Sequence, residues 1–343
     1  MVQGCGLLAL IPNREYASRR ETAVNVETVT RGKKRTVGSL AVVMVLLCAS
    51  PATAAVTFTE HNTPNSPAAI TKGADGNLWF LEPGVGKIAK MTTSGAVTEY
   101  QVPTSNATLS AIAGGADGNV WFTEYDGQKI GKITPSGAIT EYNLPQGQNS
   151  PEPNGITAGP DGNMWFIDCN NYQIGKITPS GAITEYPISY YPGEITTGPD
   201  GNLWWTAPNN SGLMKTTPAG VTTKYTVPNI TWQSYMQGIT GGPDGNVWFT
   251  AYGANKIGKI TPSGTITQYN ASAPAEITSA PDGNLWFTEP GNNKIGKITP
   301  SGSVTQYSPP TANAGPSYLT TGPDNNVWTS YNSVNKVASV TTS

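Results

Sequence analysis

The chain has 343 residues, with 20 basic and 22 acidic residues and a formal charge of −2. Only 12% of the residues are charged, while aromatic residues make up 9% and glycine and proline are abundant, which excludes a disordered, highly charged chain. A single histidine and three cysteines exclude a histidine-rich metal centre and a fold built on disulfides.

The first 54 residues carry the pattern of a processed export signal. Four of the five residues 31–35 are basic, and residues 37–50 are apolar but too short to span a membrane comfortably. Residues 52–54 read Ala-Thr-Ala. We therefore predict a non-structural extension at 1–30, a signal peptide at 31–54 cleaved after Ala54, and a mature chain at 55–343. This chain is expected to be secreted or periplasmic, without a membrane span.

The mature chain has an unusual charge composition. It contains no arginine, and its 13 lysines and 19 acidic residues give a formal charge of −6. Dispersed lysines without arginine do not favour nucleic-acid binding, which needs clustered positive charge. Its only cysteine, Cys169, cannot form an internal disulfide and is interpreted as a structural thiol. We expect a monomer.

One motif is repeated seven times along the mature chain. Each copy reads Asp, Gly or Asn, Asn, an apolar residue and Trp, and successive copies are 38 to 44 residues apart. The aspartates are Asp75, Asp117, Asp161, Asp200, Asp244, Asp282 and Asp324. The tryptophans are Trp79, Trp121, Trp165, Trp204, Trp248, Trp286 and Trp328.

Each repeat is predicted to form four short strands. In the fifth repeat these are residues 238–240, 247–250, 256–260 and 265–269, and tight turns separate them. The Asp-Gly-Asn segments suit hairpin turns and are interpreted as structural rather than as calcium loops. Four-stranded units at this period, without helical periodicity, predict an all-β fold, a seven-bladed β-propeller.

The two ends of the mature chain are predicted to complete one blade together. The seventh repeat ends before a fourth strand, and residues 57–61 align with the fourth-strand residues 96–100. An N-terminal strand that closes the last blade leaves no open sheet edge. In this alignment His61 occupies the position of Tyr100, which predicts a packing role in an outer strand rather than catalysis.

The face of the propeller with the variable loops is the candidate binding surface. Repeat lengths vary only between the fourth strand of one repeat and the first strand of the next, and variable loops on a rigid scaffold often carry binding sites. Candidate ligand-binding residues are Asn154 and Gln237 at the channel mouth, Glu82, Glu124, Asp168 and Glu289 near the rim, and Tyr190, Tyr191, Trp232 and Tyr235 in the long connections. The alternative is that these aromatic residues only cap the blade ends. No metal site is predicted.

Repeats of the form GPDGNLWFTE followed by NKIGKITPSGAITEY resemble those of the streptogramin B (virginiamycin B) lyase family over residues 55–343. The resemblance implies a seven-bladed propeller that linearises cyclic depsipeptide antibiotics by elimination. It also implies a base that removes the α-proton, Mg²⁺ that polarises the lactone, histidines in Pro-His-x-Ile segments at the first strands, and a nearby glutamate.

The matching segments of this chain contain no histidine. They include residues 153–156, 192–195, 274–277 and 316–319. We therefore predict a secreted propeller that binds an extracellular glycan, cyclic peptide or similar ligand, without a cofactor and without the histidine-based catalysis of the family.

Two alternatives remain open from the sequence. The first is a carbon–oxygen lyase that opens streptogramin B-type rings with Mg²⁺ and a carboxylate base. Candidate bases are Glu124, Asp168, Glu289, Glu194 and Glu276. The second alternative is a protein-interaction scaffold that uses the same face.

Overall fold

A computed structural model describes residues 56–342, which form seven four-stranded antiparallel sheets. The predicted extension at 1–30 and the predicted signal peptide at 31–54 lie outside the described residues. Each first strand contacts the first strands of the two neighbouring sheets, and β2 (Ile70–Lys72) also contacts β26 (Pro316–Thr321), so the ring is closed. The predicted seven-bladed propeller is confirmed.

Each blade is numbered from its first, innermost strand. The first blade is β2, β3 (Leu78–Glu82), β4 (Lys87–Met91) and β5 (Val97–Gln101). The second is β6 (Leu109–Gly114), β7 (Val120–Glu124), β8 (Lys129–Ile133) and β9 (Ile139–Asn143). The third is β10 (Pro153–Ala158), β11 (Met164–Asp168), β12 (Gln173–Ile177) and β13 (Ile183–Pro187). The fourth is β14 (Ile195–Thr197), β15 (Leu203–Ala207), β16 (Gly212–Thr216) and β17 (Thr222–Thr226).

The remaining three blades follow the same order. The fifth is β18 (Met236–Gly241), β19 (Val247–Ala251), β20 (Lys256–Ile260) and β21 (Ile266–Asn270). The sixth is β22 (Ile277–Ser279), β23 (Leu285–Glu289), β24 (Lys294–Ile298) and β25 (Val304–Tyr307). The seventh is β26, β27 (Val327–Tyr331), β28 (Lys336–Val340) and β1 (Phe58–Asn62). Short 3-10 turns lie at Pro83–Val85, Pro208–Asn210, Trp232–Ser234, Tyr252–Ala254 and Pro290–Asn292. Within residues 56–342, no helix has the length and apolar character needed to cross a membrane.

The repeated turn fixes the repeated tryptophan. In the first blade the indole N–H of Trp79 donates to Oδ1 of Asp75 at 3.1 Å, and the same contact recurs in the other six blades. Gly76 has φ 74°, a conformation that glycine adopts without steric cost, and Asn325 takes the same position in the seventh blade. The aspartates therefore have structural hydrogen-bond partners.

The hydrophobic core consists of seven clusters, one at each interface between adjacent blades. All five residues of every second strand are buried, because each blade is covered by a neighbour on both faces. One cluster joins Trp328 and Val337 of the seventh blade to Phe80 and Met91 of the first. Burial on both sides explains why these strands are apolar without alternation.

Strand β1 is the outer strand of the seventh blade. It pairs with β28 in antiparallel register from Phe58 opposite Val340 to Asn62 opposite Lys336. Its Glu60 carboxylate accepts hydrogen bonds from Lys336 Nζ at 2.8 Å and from the Thr311 hydroxyl at 2.6 Å. The two chain ends of the described part thus share one sheet, in the arrangement that the repeat alignment predicts.

His61 lies in this outer strand, away from the central channel. Its ring stacks on Trp328 with centroids 5.5 Å apart, as a tyrosine stacks on the tryptophan of each other blade. In the other six blades a lysine ammonium also lies over the tryptophan ring, but here Ser339 stands opposite Trp328. Burial lowers the pKa of His61, which favours the neutral ring.

The strand registers show which loops lie on the same face of the disc. Pro153 at the start of β10 lies opposite Asp168 at the end of β11, and Gln173 at the start of β12 lies opposite Pro187 at the end of β13. The connections between blades and the turns between second and third strands therefore share one face of the disc. We call it the variable-loop face. The Asp-Gly-Asn turns lie on the opposite face.

Candidate functional site

The innermost strands are irregular where they meet the variable-loop face. In four blades the register shifts between the first residue of the inner strand and its Ile or Leu three positions later, as between Pro153 and Ile156. In the other three blades the strand begins only at the Ile. Such bulges change the direction in which side chains point and are frequent next to binding sites.

The bulges create two rings of residues around the channel. The mouth ring is Ala68, Ser110, Asn154, Gly193, Gln237, Ala275 and Ser317. The channel ring, one residue further along each chain segment, is Ala69, Ala111, Gly155, Glu194, Gly238, Glu276 and Tyr318. Because the inner strands contact one another around the closed ring, these positions surround its axis.

Buried hydroxyls hold this irregular backbone in place. Thr288 Oγ1, in the middle strand of the sixth blade, accepts the Glu276 N–H at 3.1 Å and donates to the Ser317 carbonyl of the next blade at 2.9 Å. Thr206 Oγ1 accepts the Glu194 N–H at 2.9 Å, and Ser330 Oγ accepts the Tyr318 N–H at 3.2 Å. The backbone of each large polar residue of the channel ring is therefore anchored.

Two of the predicted ligand-binding residues belong to the mouth ring. Asn154 and Gln237 are both half-buried members of the mouth ring. The Ser110 hydroxyl donates to Asn154 Oδ1 at 2.7 Å, which links the mouths of the second and third blades. The amide groups of this ring can donate to and accept from a neutral ligand.

The predicted rim carboxylates lie inside the blades. Glu82, Glu124, Asp168 and Glu289 end the second strands and are fully buried, so their side chains are not exposed at the rim. The connection that enters each blade passes over the end of its second strand and covers these residues. The Glu152 N–H donates to Asp168 at 2.9 Å, and Gln306 donates to both oxygens of Glu289 at 2.8 Å. Direct ligand contact by any of the four remains a prediction that their burial does not favour.

Two of these carboxyls lack the hydrogen bonds that a buried anion needs. Both oxygens of Glu124 are buried without a partner among the described residues, and Glu82 has one such oxygen. Burial, with a smaller contribution from the nearby Glu141, raises the pKa of Glu124 to about 7. Burial and the neighbouring Glu99 raise the pKa of Glu82 to about 7. Both groups therefore stay largely protonated below about pH 7 in the folded protein.

Replacement of Glu124 by glutamine is expected to make stability less dependent on pH. The folded protein binds this proton more tightly than the unfolded chain, whose glutamates titrate near 4.5. The contribution of Glu124 is therefore most favourable below about pH 4.5, decreases up to about pH 7 and then levels off. Above pH 7, the free energy of unfolding of Glu124→Gln should exceed that of the wild type by about 1–2 kcal/mol after allowance for solvent screening. Near pH 4 the two free energies should be equal.

Urea unfolding from pH 4 to 8 measures this difference. Glu289→Gln is the matched control, because the Glu289 carboxylate already accepts hydrogen bonds from Gln306 and Ser272, and its replacement should destabilise the protein. A constant difference between Glu124→Gln and the wild type across this range would contradict the assignment.

The aromatic candidates lie in two connections on the variable-loop face. Tyr190 and Tyr191 are half-buried between the third and fourth blades, and Lys224 Nζ lies 4.5 Å from the ring centroid of Tyr190. Tyr191 contacts Tyr172 edge to face, with centroids 5.9 Å apart. Trp232 begins the 3-10 turn before Tyr235, which is 48% exposed. Capping of a blade interface is therefore observed for Tyr190 and Tyr191, whereas Tyr235 projects into solvent.

Two of the five candidate catalytic bases, Glu194 and Glu276, belong to the channel ring. Burial raises the pKa of Glu276 to about 7. Burial and the charges of Glu276 and Glu194 raise the pKa of Tyr318 well above its usual value of 10. Both carboxyl groups thus contribute to the raised pKa of the same phenol.

A cluster of three metal-binding side chains is not found among the described residues. Mg²⁺ prefers an octahedral shell of oxygen ligands that includes carboxylates. Within residues 56–342, no three histidine, cysteine or acidic side chains come together closely enough to hold a metal ion. The mouth-ring positions that match the Pro-His-x-Ile segments carry Ala, Ser, Asn, Gly or Gln, of which none supplies an imidazole or a carboxylate.

Sequence reasoning missed two tyrosines. Tyr318 directly precedes Leu319, as Glu194 and Glu276 precede their isoleucines, so alignment of the inner strands would have identified it. Tyr172 is 44% exposed and has φ 53°, at the turn position where other blades place residues such as Gly86 and Asn255. A bulky residue in this conformation is uncommon and often marks a functional position.

Comparison with known proteins identifies the relatives of the chain. The family model described as "Virginiamycin B lyase family" matches residues 50–194 and 189–343. No curated protein sequence matches the chain.

Three solved structures are closely similar. A streptogramin B lyase is 36% identical with a TM-score of 0.77, over 83% of this chain and 97% of that one. Virginiamycin B lyase from Staphylococcus aureus is 35% identical with a TM-score of 0.78, over 84% of this chain and 99% of that one. A catalytically inactive histidine-to-alanine variant of that enzyme, solved with quinupristin, is also 35% identical with a TM-score of 0.77, over the same shares of the two chains.

The family match covers nearly the whole of the described propeller, and the structural matches cover their relatives almost end to end. The chain therefore belongs to the virginiamycin B lyase family.

Proposed function

We propose that this protein is a secreted propeller that binds an extracellular ligand over the channel mouth of its variable-loop face, without the histidine-based ring opening of its relatives. The ligand would contact the mouth ring, including Asn154 and Gln237, and the aromatic residues of the connections, among which Tyr235 is exposed. A glycan or a cyclic peptide suits a surface of amides and aromatic rings.

One observation carries this proposal. None of the seven mouth-ring positions holds histidine, and the only histidine of the mature chain is stacked on Trp328 in an outer strand. A similar protein from Staphylococcus aureus is described as catalytically inactive after a single histidine-to-alanine replacement. Loss of a general base typically lowers a rate by about 10²–10⁴-fold, so a chain without these imidazoles is better suited to binding than to turnover.

A carbon–oxygen lyase with a carboxylate base is the second candidate. The observation in its favour is Glu276, whose pKa of about 7 suits proton abstraction near neutral pH, beside Tyr318 in the channel. For this candidate, the Glu276 carboxylate takes the α-proton, the electron pair of the C–H bond forms a carbon–carbon double bond, and the ester C–O bond breaks to leave a free carboxylate on the linear product. A protein-interaction scaffold on the same face is a third reading, without an observation that favours it.

A streptogramin B assay separates the two candidates. The purified protein is incubated with a streptogramin B and Mg²⁺, and mass spectrometry detects the linear product by its retention time, since it is isomeric with the ring. We expect no product above the buffer rate, whereas Staphylococcus aureus virginiamycin B lyase serves as the positive control. Turnover that is lost in Glu276→Gln would overturn the binding-only proposal and establish the lyase.

Glycan and peptide arrays test binding itself. We expect a small-molecule or glycan signal that Asn154→Ala together with Gln237→Ala weakens at least about tenfold, as for loss of two ligand-contacting amides. Binding only to folded proteins would instead support the interaction scaffold. N-terminal sequencing of protein from the medium or periplasm should begin at Ala55, and retention of the full chain in the cytoplasm would contradict secretion.

A further inference from the structure

Tyr172 is an exposed aromatic residue with an unfavourable backbone conformation. The residue before each third strand has a positive φ in all seven blades, and six of these residues are Gly86, Gln128, Ser211, Asn255, Asn293 and Asn335. The seventh is Tyr172, which has φ 53° and is 44% exposed. A bulky residue rarely adopts this conformation, and an exposed side chain gains little burial in return. Such an outlier at the surface points to a role in function.

The turn that carries Tyr172 is rigid although it is exposed. Asn171 Nδ2 donates to Oδ2 of the buried Asp168 at 2.8 Å, and the Asn149 N–H donates to Asn171 Oδ1 at 3.0 Å. Asn149 Nδ2 also donates to the Asn170 carbonyl at 3.0 Å. These hydrogen bonds join the turn to the connection that enters the third blade. A surface that is fixed in advance loses less conformational entropy when it binds a ligand.

The connection that leaves the third blade supports Tyr172 from another side. The Tyr191 ring contacts the Tyr172 ring edge to face, with centroids 5.9 Å apart. The Ile188 N–H donates to the Tyr172 carbonyl at 2.8 Å. Tyr172 is therefore flanked by both connections of the blade, and the two tyrosine rings supply a stiff contact surface at low entropic cost.

The three segments around this ring contain no charged residue. They are residues 145–150, all of which are exposed, residues 169–173 and residues 187–193. A Cβ atom at Gly147 would lie 2.6 Å from Asn171 Oδ1, so the first segment lies directly against the turn. The side chain of the next residue, Gln148, is exposed and forms no hydrogen bond with any of residues 56–342. Gln148 thus presents an amide to solvent next to the turn that carries Tyr172.

An aromatic ring beside uncharged amides suits a neutral carbohydrate. The C–H face of a sugar packs against an aromatic ring, and its hydroxyls donate to and accept from amide groups. Two charged groups border the three segments, and both have partners. Lys224 Nζ lies 4.5 Å from the ring centroid of Tyr190, and Glu152 accepts a hydrogen bond from the Tyr125 hydroxyl at 2.6 Å. A charged ligand would therefore lose hydration here without gaining a counter-charge.

Building on the ligand-binding function proposed above, we propose that the third blade binds a neutral oligosaccharide, with Tyr172 as the ring on which one sugar unit stacks. Gln148 binds hydroxyls of the sugar, Tyr191 supports the stacking ring, and Asp168 holds the turn without contacting the ligand. The ligand class is thereby narrowed from glycans and cyclic peptides to uncharged glycans. The contact lies at the start of a third strand, outward from the mouth ring.

Isothermal titration calorimetry with defined oligosaccharides tests the proposal. The neutral probes are cellohexaose, laminarihexaose, maltohexaose and chitohexaose, and hexagalacturonate is the anionic comparison. We expect at least one neutral probe to bind and hexagalacturonate to bind at least about tenfold more weakly, because the surface offers it no counter-charge. Absence of binding by all four neutral probes would overturn the proposal, as would equal affinity for hexagalacturonate.

Matched variants locate the contact. Tyr172→Asn should weaken binding at least about tenfold, whereas Tyr172→Phe keeps the ring and should stay within about threefold of the wild type. The urea unfolding midpoint of Tyr172→Asn should not fall, since asparagine tolerates a positive φ better and this offsets the lost contact with Tyr191. Ser211→Asn makes the same kind of change at the equivalent turn of the fourth blade and should leave the affinity unchanged. An equal loss of affinity in Ser211→Asn would overturn the proposal.

Gln148→Ala gives a second reading that does not depend on folding, because this exposed side chain has no hydrogen-bond partner to lose among residues 56–342. It should weaken binding at least about threefold. Wild-type affinity in both Tyr172→Asn and Gln148→Ala would overturn the proposal. A peptide ligand that depends on Tyr172, without any oligosaccharide that binds, would also overturn it.

The two proposals fail in different ways. Oligosaccharide binding that Tyr172→Asn abolishes, but that Asn154→Ala together with Gln237→Ala leaves unchanged, would support the third-blade contact and count against the channel mouth. The reverse result would overturn the third-blade contact and leave the proposed binding function intact.

Discussion

Removal of residues 55–62 is expected to lower the free energy of unfolding by about 4–6 kcal/mol, because β1 is the outer strand of the seventh blade. The deletion removes the packing of Val56 and Phe58 on the sixth and seventh blades and the stacking of His61 on Trp328. It also removes Glu60, which binds Lys336 and Thr311. Folded domains are typically stable by only about 5–15 kcal/mol in total, so this loss is a large share of the free energy of unfolding.

Urea unfolding and size-exclusion chromatography measure this effect. The exposed edge of β28 should also promote association, because an unpaired strand edge pairs readily with other chains. The matched control is a chain that begins at residue 55 and keeps β1, which should unfold at the same urea concentration as the secreted protein. A synthetic peptide of residues 55–62 should restore stability to the shortened chain. An unchanged unfolding midpoint in that chain would show that β1 contributes little to closure.

Replacement of Thr288 by valine is expected to lower the free energy of unfolding by about 2–4 kcal/mol, although the two side chains have nearly the same shape. The Thr288 hydroxyl satisfies the Glu276 N–H and the Ser317 carbonyl at once, and valine would leave both groups without this partner. Thr288 is fully buried, so water cannot replace the lost hydroxyl. The variant therefore combines two buried, unsatisfied backbone groups at the junction of the sixth and seventh blades.

The control for this prediction retains the hydroxyl. Thr288→Ser keeps both hydrogen bonds and loses one methyl group, which should cost only about 1 kcal/mol. Thermal and urea unfolding of the two variants compare the effects directly. If the valine and serine variants have the same unfolding midpoint, the hydroxyl does not anchor the inner strand, and the fixed position of the Glu276 backbone has another origin.

The position of the repeats could be predicted from the sequence because the signals are local. The Asp-Gly-Asn turn, the tryptophan four residues after its aspartate and the next tight turn all lie within one blade. Alignment of these units also assigned β1 to the outer strand and His61 to the tyrosine position. Both assignments required only that equivalent positions in equivalent blades have equivalent surroundings.

The burial of Glu82 and Glu124 could not be predicted in this way. Each lies at the end of a second strand, where the alignment suggested a rim, but the path of the incoming connection covers it. That path brings Asn65 to within 3.2 Å of Glu82, from a segment of variable length that the repeat alignment does not constrain. The pKa values near 7 follow from this burial.

The sequence by itself thus determined the form of the blade, the number of blades and the lack of histidine before the inner strands, since each is a property of one repeat or of its composition. Only the tertiary structure decided that burial raises the pKa values of Glu276 and Tyr318. These residues belong to the sixth and seventh blades, and neighbouring inner strands enclose them only when the ring is closed. A charge acts through space, so the electrostatics of the channel exist only once that ring has formed.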